Sequence, residues 1–162
     1  MTATNNSYLT FAIGDKVFGI NVSKVLEIRE FEQPKSMPDA RVYMLGVIEH
    51  DSEVIPLIDA RVKFGMESKD VDESTVIVVL QLINHVITKS YRLALVVDSV
   101  SDVKEVENSK LKQISDDYKP NYIHASFNLD DTFVYLLDPD VIFDDKEVVS
   151  MLDTINEIEK SK

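Results

Sequence analysis

The sequence predicts a mainly β protein, a barrel or a sandwich, on three observations. Short runs rich in β-branched and aliphatic residues recur between turn-forming pairs such as Gly14-Asp15 and Asp130-Asp131. Sustained helical periodicity occurs once, at the C-terminus. The length, 162 residues with 44% apolar, suits one domain or two small subdomains sharing a core.

The elements follow in order. Tyr8 to Ile13 and Lys16 to Ile20 read as an opening hairpin, because Gly14 supplies the positive φ that a tight turn needs. Asn21 then suits the N-cap of a short helix in which Val22, Val25 and Leu26 recur at helical spacing. The prolines of FEQPKSMPD make residues 31–39 a loop, and Asp39 opens a single helical turn that stops at Gly46. In VIPLI, Pro56 cannot donate to a ladder, so it belongs on an edge or at a bulge. Asp59 is placed to cap ARVKF, and Gly65 to end it.

MESKDVDES is a charged connector between halves. Beyond it TVIVVLQLI and RLALVV read as core strands joined by a hairpin, Val103 to Val106 adds a further strand, and residues 107–119 are irregular or briefly helical. Tyr122 to Leu129 and Thr132 to Leu137 form the last hairpin. Asp144 with Glu147 makes a capping box for the C-terminal helix, whose stripe of Val148, Met151, Leu152, Ile155 and Ile158 needs a sheet to cover.

Charge and composition exclude several function classes. The formal charge of −12, from 29 acidic against 17 basic residues, argues against nucleic acid or anionic lipid and favours a basic or neutral protein partner. The absence of cysteine removes disulfides, thiolate zinc and a cysteine nucleophile, and fits a reducing cytosol. MTATNNSYLTF lacks the basic and apolar regions of a signal peptide, and no apolar run approaches the ~20 residues that span a bilayer.

Catalytic and metal patterns are weak. His50, His85 and His124 form no HExxH or i, i+4 pair, so each reads as a solvated loop residue and no metal site is expected. Asp138, Asp140 and Asp144 fail the calcium-loop register, because Ile142 and Phe143 take its fifth and sixth positions. Asp138 before Pro139 reads as a turn cap. The glycines form no phosphate loop and no GxSxG elbow exists, so no catalytic residue and no cofactor is expected. An enzyme alternative, a hydrolase or ligand-binding barrel, would use the carboxylates between 130 and 145 as a pair across a cleft.

One stretch carries more. GVIEHDSEVIPLIDARVKFG, residues 46–65, resembles the signature of CheW-like domains, the coupling modules of bacterial chemotaxis, whose pattern reads GVINLRG-V-P-IDLR--FG. YLTFAIGDKVFGINVSKVLEIRE resembles the family's opening hairpin, helix and strand; LALVVDSVSDV resembles its VVDGVSDV; with LDDTFVYLLDPDVIF the resemblance spans residues 7–145.

The resemblance implies a single domain over 1–162 made of two side-by-side five-stranded SH3-like β-barrels, about 14–66 and 74–137, with short helices, a C-terminal amphipathic helix and terminal segments packing across. It implies a non-catalytic cytoplasmic adaptor, recruited to membrane-associated arrays without entering the membrane, that joins chemoreceptor tips to the regulatory domain of the histidine kinase CheA. The kinase-facing positions match Leu9, Val22, Val25 and Ile28. The receptor-facing positions match Glu27, Gly46, Val47, Glu49, His50, Asp51, Ser52 and Val100, while Val97 reads as core.

The match breaks at the hairpin, where Glu49, His50, Asp51 and Ser52 replace the family's Asn-Leu-Arg-Gly. An aspartate in place of the arginine would repel Glu27, and Asp51 or Ser52 must take the positive φ of the missing glycine. Two readings follow: a coupling protein whose partner carries a complementary basic patch, or a CheW-like module of a CheV-type or divergent adaptor.

Overall fold

The apolar runs are continuous rather than alternating because their strands are buried on both faces. The computed structural model describes residues 6–38, 40–114 and 120–160. Among these, Ile77 and Val79 join one apolar cluster with Ile48, Ile55, Leu57 and Ala94, while their neighbours Val78, Leu80 and Leu82 join a larger one. Successive residues of a strand point to opposite faces, so a strand sandwiched between two cores has no polar side.

Among the described residues the strands and helices are β1 (Ser7–Ile13), β2 (Lys16–Asn21), β3 (Val25–Glu30), β4 (Met44–His50), β5 (Glu53–Asp59), α1 (Ala60–Lys63), β6 (Val76–Asn84), β7 (Lys89–Val97), β8 (Ser99–Glu105), β9 (Ile123–Leu129), β10 (Thr132–Leu137) and α2 (Asp145–Lys160). They make two five-stranded sheets, in the orders β8-β1-β2-β10-β9 and β3-β6-β7-β5-β4. The mainly β class, the two five-stranded units and the C-terminal helix are as the sequence predicts.

The division of the chain differs from the expected one at 14–66 and 74–137. Strands β3 to β7, residues 25–97, form one sheet, and β1 and β2 cross to join β8, β9 and β10 in the other. Hence TVIVVLQLI pairs with β3 and RLALVV with β5, not with the last hairpin. The N-terminal hairpin joins the last one through a parallel pair, β2 with β10, and a second parallel pair, β5 with β7, lies within the other sheet. Local pattern determines which residues are strands, but partner choice among equally apolar strands is decided by long-range packing.

The helix expected after Asn21 shrinks to a single 3-10 turn, Val22–Lys24, capped by the Asn21 side chain on the Ser23 N–H. Val25 and Leu26 belong to β3 instead, because β6 offers their backbone a ladder and Val25 and Ile28 are β-branched. The helical turn before Gly46 is likewise replaced. A turn from the Arg41 carbonyl to the Met44 N–H leads straight into β4; Asp39 itself lies outside the described residues. Residues 108–110 form a 3-10 turn, and of the region expected to be irregular, 115–119 lie outside the described residues.

Pro56 is not on an edge strand of the sheet, yet the physical demand on it is met. Val47 exchanges both backbone hydrogen bonds with Lys35, so the Val47–Pro56 pair is non-hydrogen-bonded and the proline nitrogen faces β7. The β5–β7 ladder begins only at Leu57, so no donor is missed there.

Gly46 holds φ +150°, and a Cβ on it would lie 2.1 Å from the Lys35 carbonyl oxygen. Only glycine lets the loop before β4 cross the strand and pair with Val47. Helix α2 begins with the expected capping box, Asp144 accepting from the Glu147 N–H at 2.8 Å and Glu147 from the Asp144 N–H at 3.0 Å. Its stripe of Val148, Met151 and Ile155 is buried in the larger core, with Leu152 and Ile158 packed at the margin.

Candidate functional site

The polar knot between GVI and VIPLI is a two-residue hairpin. His50 pairs with Glu53, and Asp51 and Ser52 between them take φ 49° and 68°. Two positive φ values make a type I′ turn, which matches the right-handed twist of its strands but strains any residue with a Cβ. Both positions, not one, carry the cost of the absent glycine. Ser52→Gly is therefore expected to stabilise the fold by ~1 kcal/mol in urea unfolding; no gain would show that the side chain compensates the strain.

The hairpin separates its residues by exposure. Glu49, Asp51, Ser52 and Glu53 are exposed, whereas Gly46, Val47 and His50 are buried. Gly46 and Val47 are thus structural: they let the segment around Lys35 cross and fasten it. His50 is 6% exposed and is not the solvated loop histidine its sequence context suggested. Val100 lies in the other sheet, half-buried opposite Phe11, and Val97 is core, 1% exposed.

Glu27 does meet the hairpin, but the contact is attractive. Its carboxylate Oε2 lies 3.2 Å from His50 Nε2, while His50 Nδ1 lies 3.2 Å from Arg92 Nη1. Arg92 also reaches Glu53 Oε2 at 3.3 Å. On the other side Arg29 donates to the Glu49 carbonyl at 3.1 Å and pairs with Glu32. Asp51, placed where the family has arginine, is exposed to solvent outside this network. The expected repulsion between the loop and Glu27 is avoided because a histidine stands between them.

The apolar patch is smaller and differently composed than expected. Leu9 is 3% exposed and belongs to the core, and Val22 and Val25 are half-buried against it. Ile28 is exposed at 45%, and beside it Leu26 at 46%. Leu26 was missed because a helical reading of NVSKVLEIRE turns it inward; on the edge strand β3 it is exposed, as Ile28 is. The pairing to β6 slips between Val25 and Glu27, a bulge at an edge strand.

Two pieces of the motif meet at the junction of the sheets. Arg61 of LIDARVKFG grips Asp98 of VVDSVSDV with two bonds, Nε to Oδ1 at 2.8 Å and Nη2 to Oδ2 at 2.7 Å. Asp98 also accepts the Gly14 N–H at 2.9 Å. The hydrogen bonds from Arg61 hold the Asp98 carboxyl below its ordinary range against the opposing effect of burial, and raise that of Arg61. The pair ties α1 of one sheet to the β1–β2 turn of the other.

The carboxylates between 130 and 147 occupy structural positions. Asp130 and Asp131 form a second positive-φ turn. Asp138 caps the 3-10 turn that follows, as predicted, and Asp140 pairs with Lys24 at 2.7 Å and accepts the Ile83 N–H. Glu147 accepts from the Tyr43 hydroxyl and from Lys63 at 2.9 Å. Burial would raise its pKa, but those bonds and the Asp144 N–H outweigh burial and hold it below the ordinary range. A hydrolytic acid would need the opposite shift. His85 and His124 are exposed, and among the described residues no His, Asp and Glu cluster has metal-binding geometry.

Comparison with known proteins agrees with this arrangement. The sequence model of the CheW-like domain matches residues 7–147. A probable chemotaxis protein CheW of Rhizobium etli is 31% identical over 142 residues, 86% of this chain and 88% of that protein. The chemotaxis protein CheW of Rhizobium meliloti is 28% identical over 150 residues, 91% and 93% of the two chains. The scaffolding protein TtCheW from Thermoanaerobacter tengcongensis shares the fold with a TM-score of 0.76 at 15% identity, over 89% of this chain and 96% of that one. Sequence match and fold together place the chain in the CheW-like domain family.

Proposed function

We propose that the chain is a non-catalytic adaptor of bacterial chemotaxis that couples the cytoplasmic tip of a chemoreceptor to the regulatory domain of CheA. The observation that carries this reading is the family match across residues 7–147. The geometry supplies what a bridge requires, two outward surfaces of different chemistry on the two edge strands of one sheet. On β3 these are Leu26 and Ile28; at the tip of β4–β5 they are Glu49, Asp51 and Ser52.

The apolar pair suits the kinase domain, where a small desolvated cluster can supply most of the affinity. The acidic tip suits a receptor surface with a complementary basic patch, and such contacts are sensitive to salt. Among the described residues no helix is long and apolar enough to cross a membrane; in the proposed role the chain reaches the array through the receptor.

Titrating each partner fragment into two variants tests the assignment. Ile28→Asp is expected to weaken kinase-domain binding by about tenfold or more, or ~1.4 kcal/mol, and to spare the receptor. Asp51→Arg should weaken receptor binding and flatten its salt dependence while sparing the kinase. Equal effects on both partners, or none, would refute the two-surface assignment.

A further inference from the structure

We infer that Arg92 is the positioning residue of the docking hairpin, and that it acts through the tautomer of His50. The inference rests on the hairpin being a docking surface. No sequence motif singles Arg92 out; it lies within the apolar strand RLALVV.

The backbone alone leaves the hairpin end unsupported on one side. The β5–β7 ladder starts at Leu57, so Glu53 to Pro56 have no partner on β7. The Arg92 side chain takes the place of that missing ladder. It reaches both members of the register pair that closes the hairpin, His50 at 3.2 Å and Glu53 at 3.3 Å.

The chemistry of the contact then dictates where the imidazole proton sits. A guanidinium has donors and no acceptor, so His50 Nδ1 must accept and the ring proton must lie on Nε2. Nε2, 3.2 Å from Glu27, can then donate to that carboxylate. A directed series of bonds thus runs from Arg92 on β7, through His50 on β4, to Glu27 on β3. At 6% exposure the imidazole has little room for other partners. Arg29 fixes the Glu49 carbonyl from the β3 side, so the acidic tip is held from both flanks. A tip held in place binds with a smaller ordering cost than a mobile one.

The test uses the full chain with ¹⁵N-labelled histidine. In the wild type, long-range ¹H–¹⁵N spectra should show His50 as the Nε2–H tautomer. Arg92→Met, which has no donor for Nδ1, should weaken binding of a chemoreceptor tip fragment about 3- to 10-fold, with Arg92→Lys recovering part of the loss; in a Glu27→Gln background, where the amide can donate or accept at Nε2, Arg92→Met should convert His50 to a mixture of tautomers. A single Nε2–H tautomer in Arg92→Met with Glu27→Gln, or unchanged affinity in Arg92→Met, would overturn the proposal. Should Arg92→Met fail to fold, substitutions of His50 decide. A glutamine side chain can accept from Arg92 and donate to Glu27, so His50→Gln should bind like wild type and His50→Leu should not; equal binding by both would overturn the proposal. If the wild type itself binds no receptor fragment, the coupling reading fails, and the tautomer spectra still decide the role of Arg92.

Discussion

Alanine at Gly46 should lower stability by ~3 kcal/mol, because the positive φ alone costs about 1–3 kcal/mol and the pairing beside it is lost as well. For a chain of this size that corresponds to a fall of about 10 °C in Tm. The reason is specific to this glycine: at φ +150° the new Cβ would lie 2.1 Å from the Lys35 oxygen, so the segment around Lys35 must leave the strand and both Lys35–Val47 hydrogen bonds must break. Gly65 is the control. Its φ is +84°, but a Cβ there meets open space, so Gly65→Ala should cost only ~1 kcal/mol. Thermal melts of the two variants check the difference; equal losses would mean that backbone conformation, not the crossing loop, makes Gly46 necessary.

The second large effect is at the sheet junction. Asp98→Asn removes the charge that Arg61 grips through two bonds and leaves one side-chain oxygen where the guanidinium had two. Removing one partner of a charged, hydrogen-bonded pair that is mostly covered costs ~2 kcal/mol. The same contact gives a pH dependence of known sign. Asp98 has a folded pKa below its unfolded one, so its contribution is fully present above about pH 4, the unfolded aspartate value. It is lost as pH falls through the folded value. Urea unfolding at a series of pH values should therefore show wild type and Asp98→Asn converging in acid. A constant gap down to about pH 2.5 would show that the stabilisation does not come from the ionised carboxylate.

Much of the fold could be read from local pattern. The Gly14-Asp15 and Asp130-Asp131 turns, the caps at Asp59, Asp138 and Asp144, and the stripe of α2 each depend on a few neighbouring residues, and each is found where the pattern put it. Strand exchange between the sheets could not be read this way. Pairs such as Tyr135 with Phe18 join residues far apart in the chain, and their apolar neighbours would pair as well elsewhere.

The site divides along the same line. Glu49, Asp51 and Ser52 are exposed on a turn that the polar knot announces. Leu9, Gly46 and Val47, which the motif places beside partners, serve the core and the crossing loop. A motif records that a residue type recurs, not whether it faces inward. His50 and Arg92 were invisible as a pair because their contact spans two strands not joined in sequence. The Leu26 and Ile28 pair was hidden by neighbouring valines whose spacing fits a helix as well as a strand.

The proposed coupling role requires one chain to hold receptor and kinase at once. Sedimentation velocity on the full chain mixed with a chemoreceptor tip fragment and the CheA regulatory domain, at tens of micromolar each, tests it most directly. A coupling protein gives a ternary species larger than either binary complex, retained when either partner is in excess. Binary complexes that displace one another, or no complex with either fragment, would contradict it.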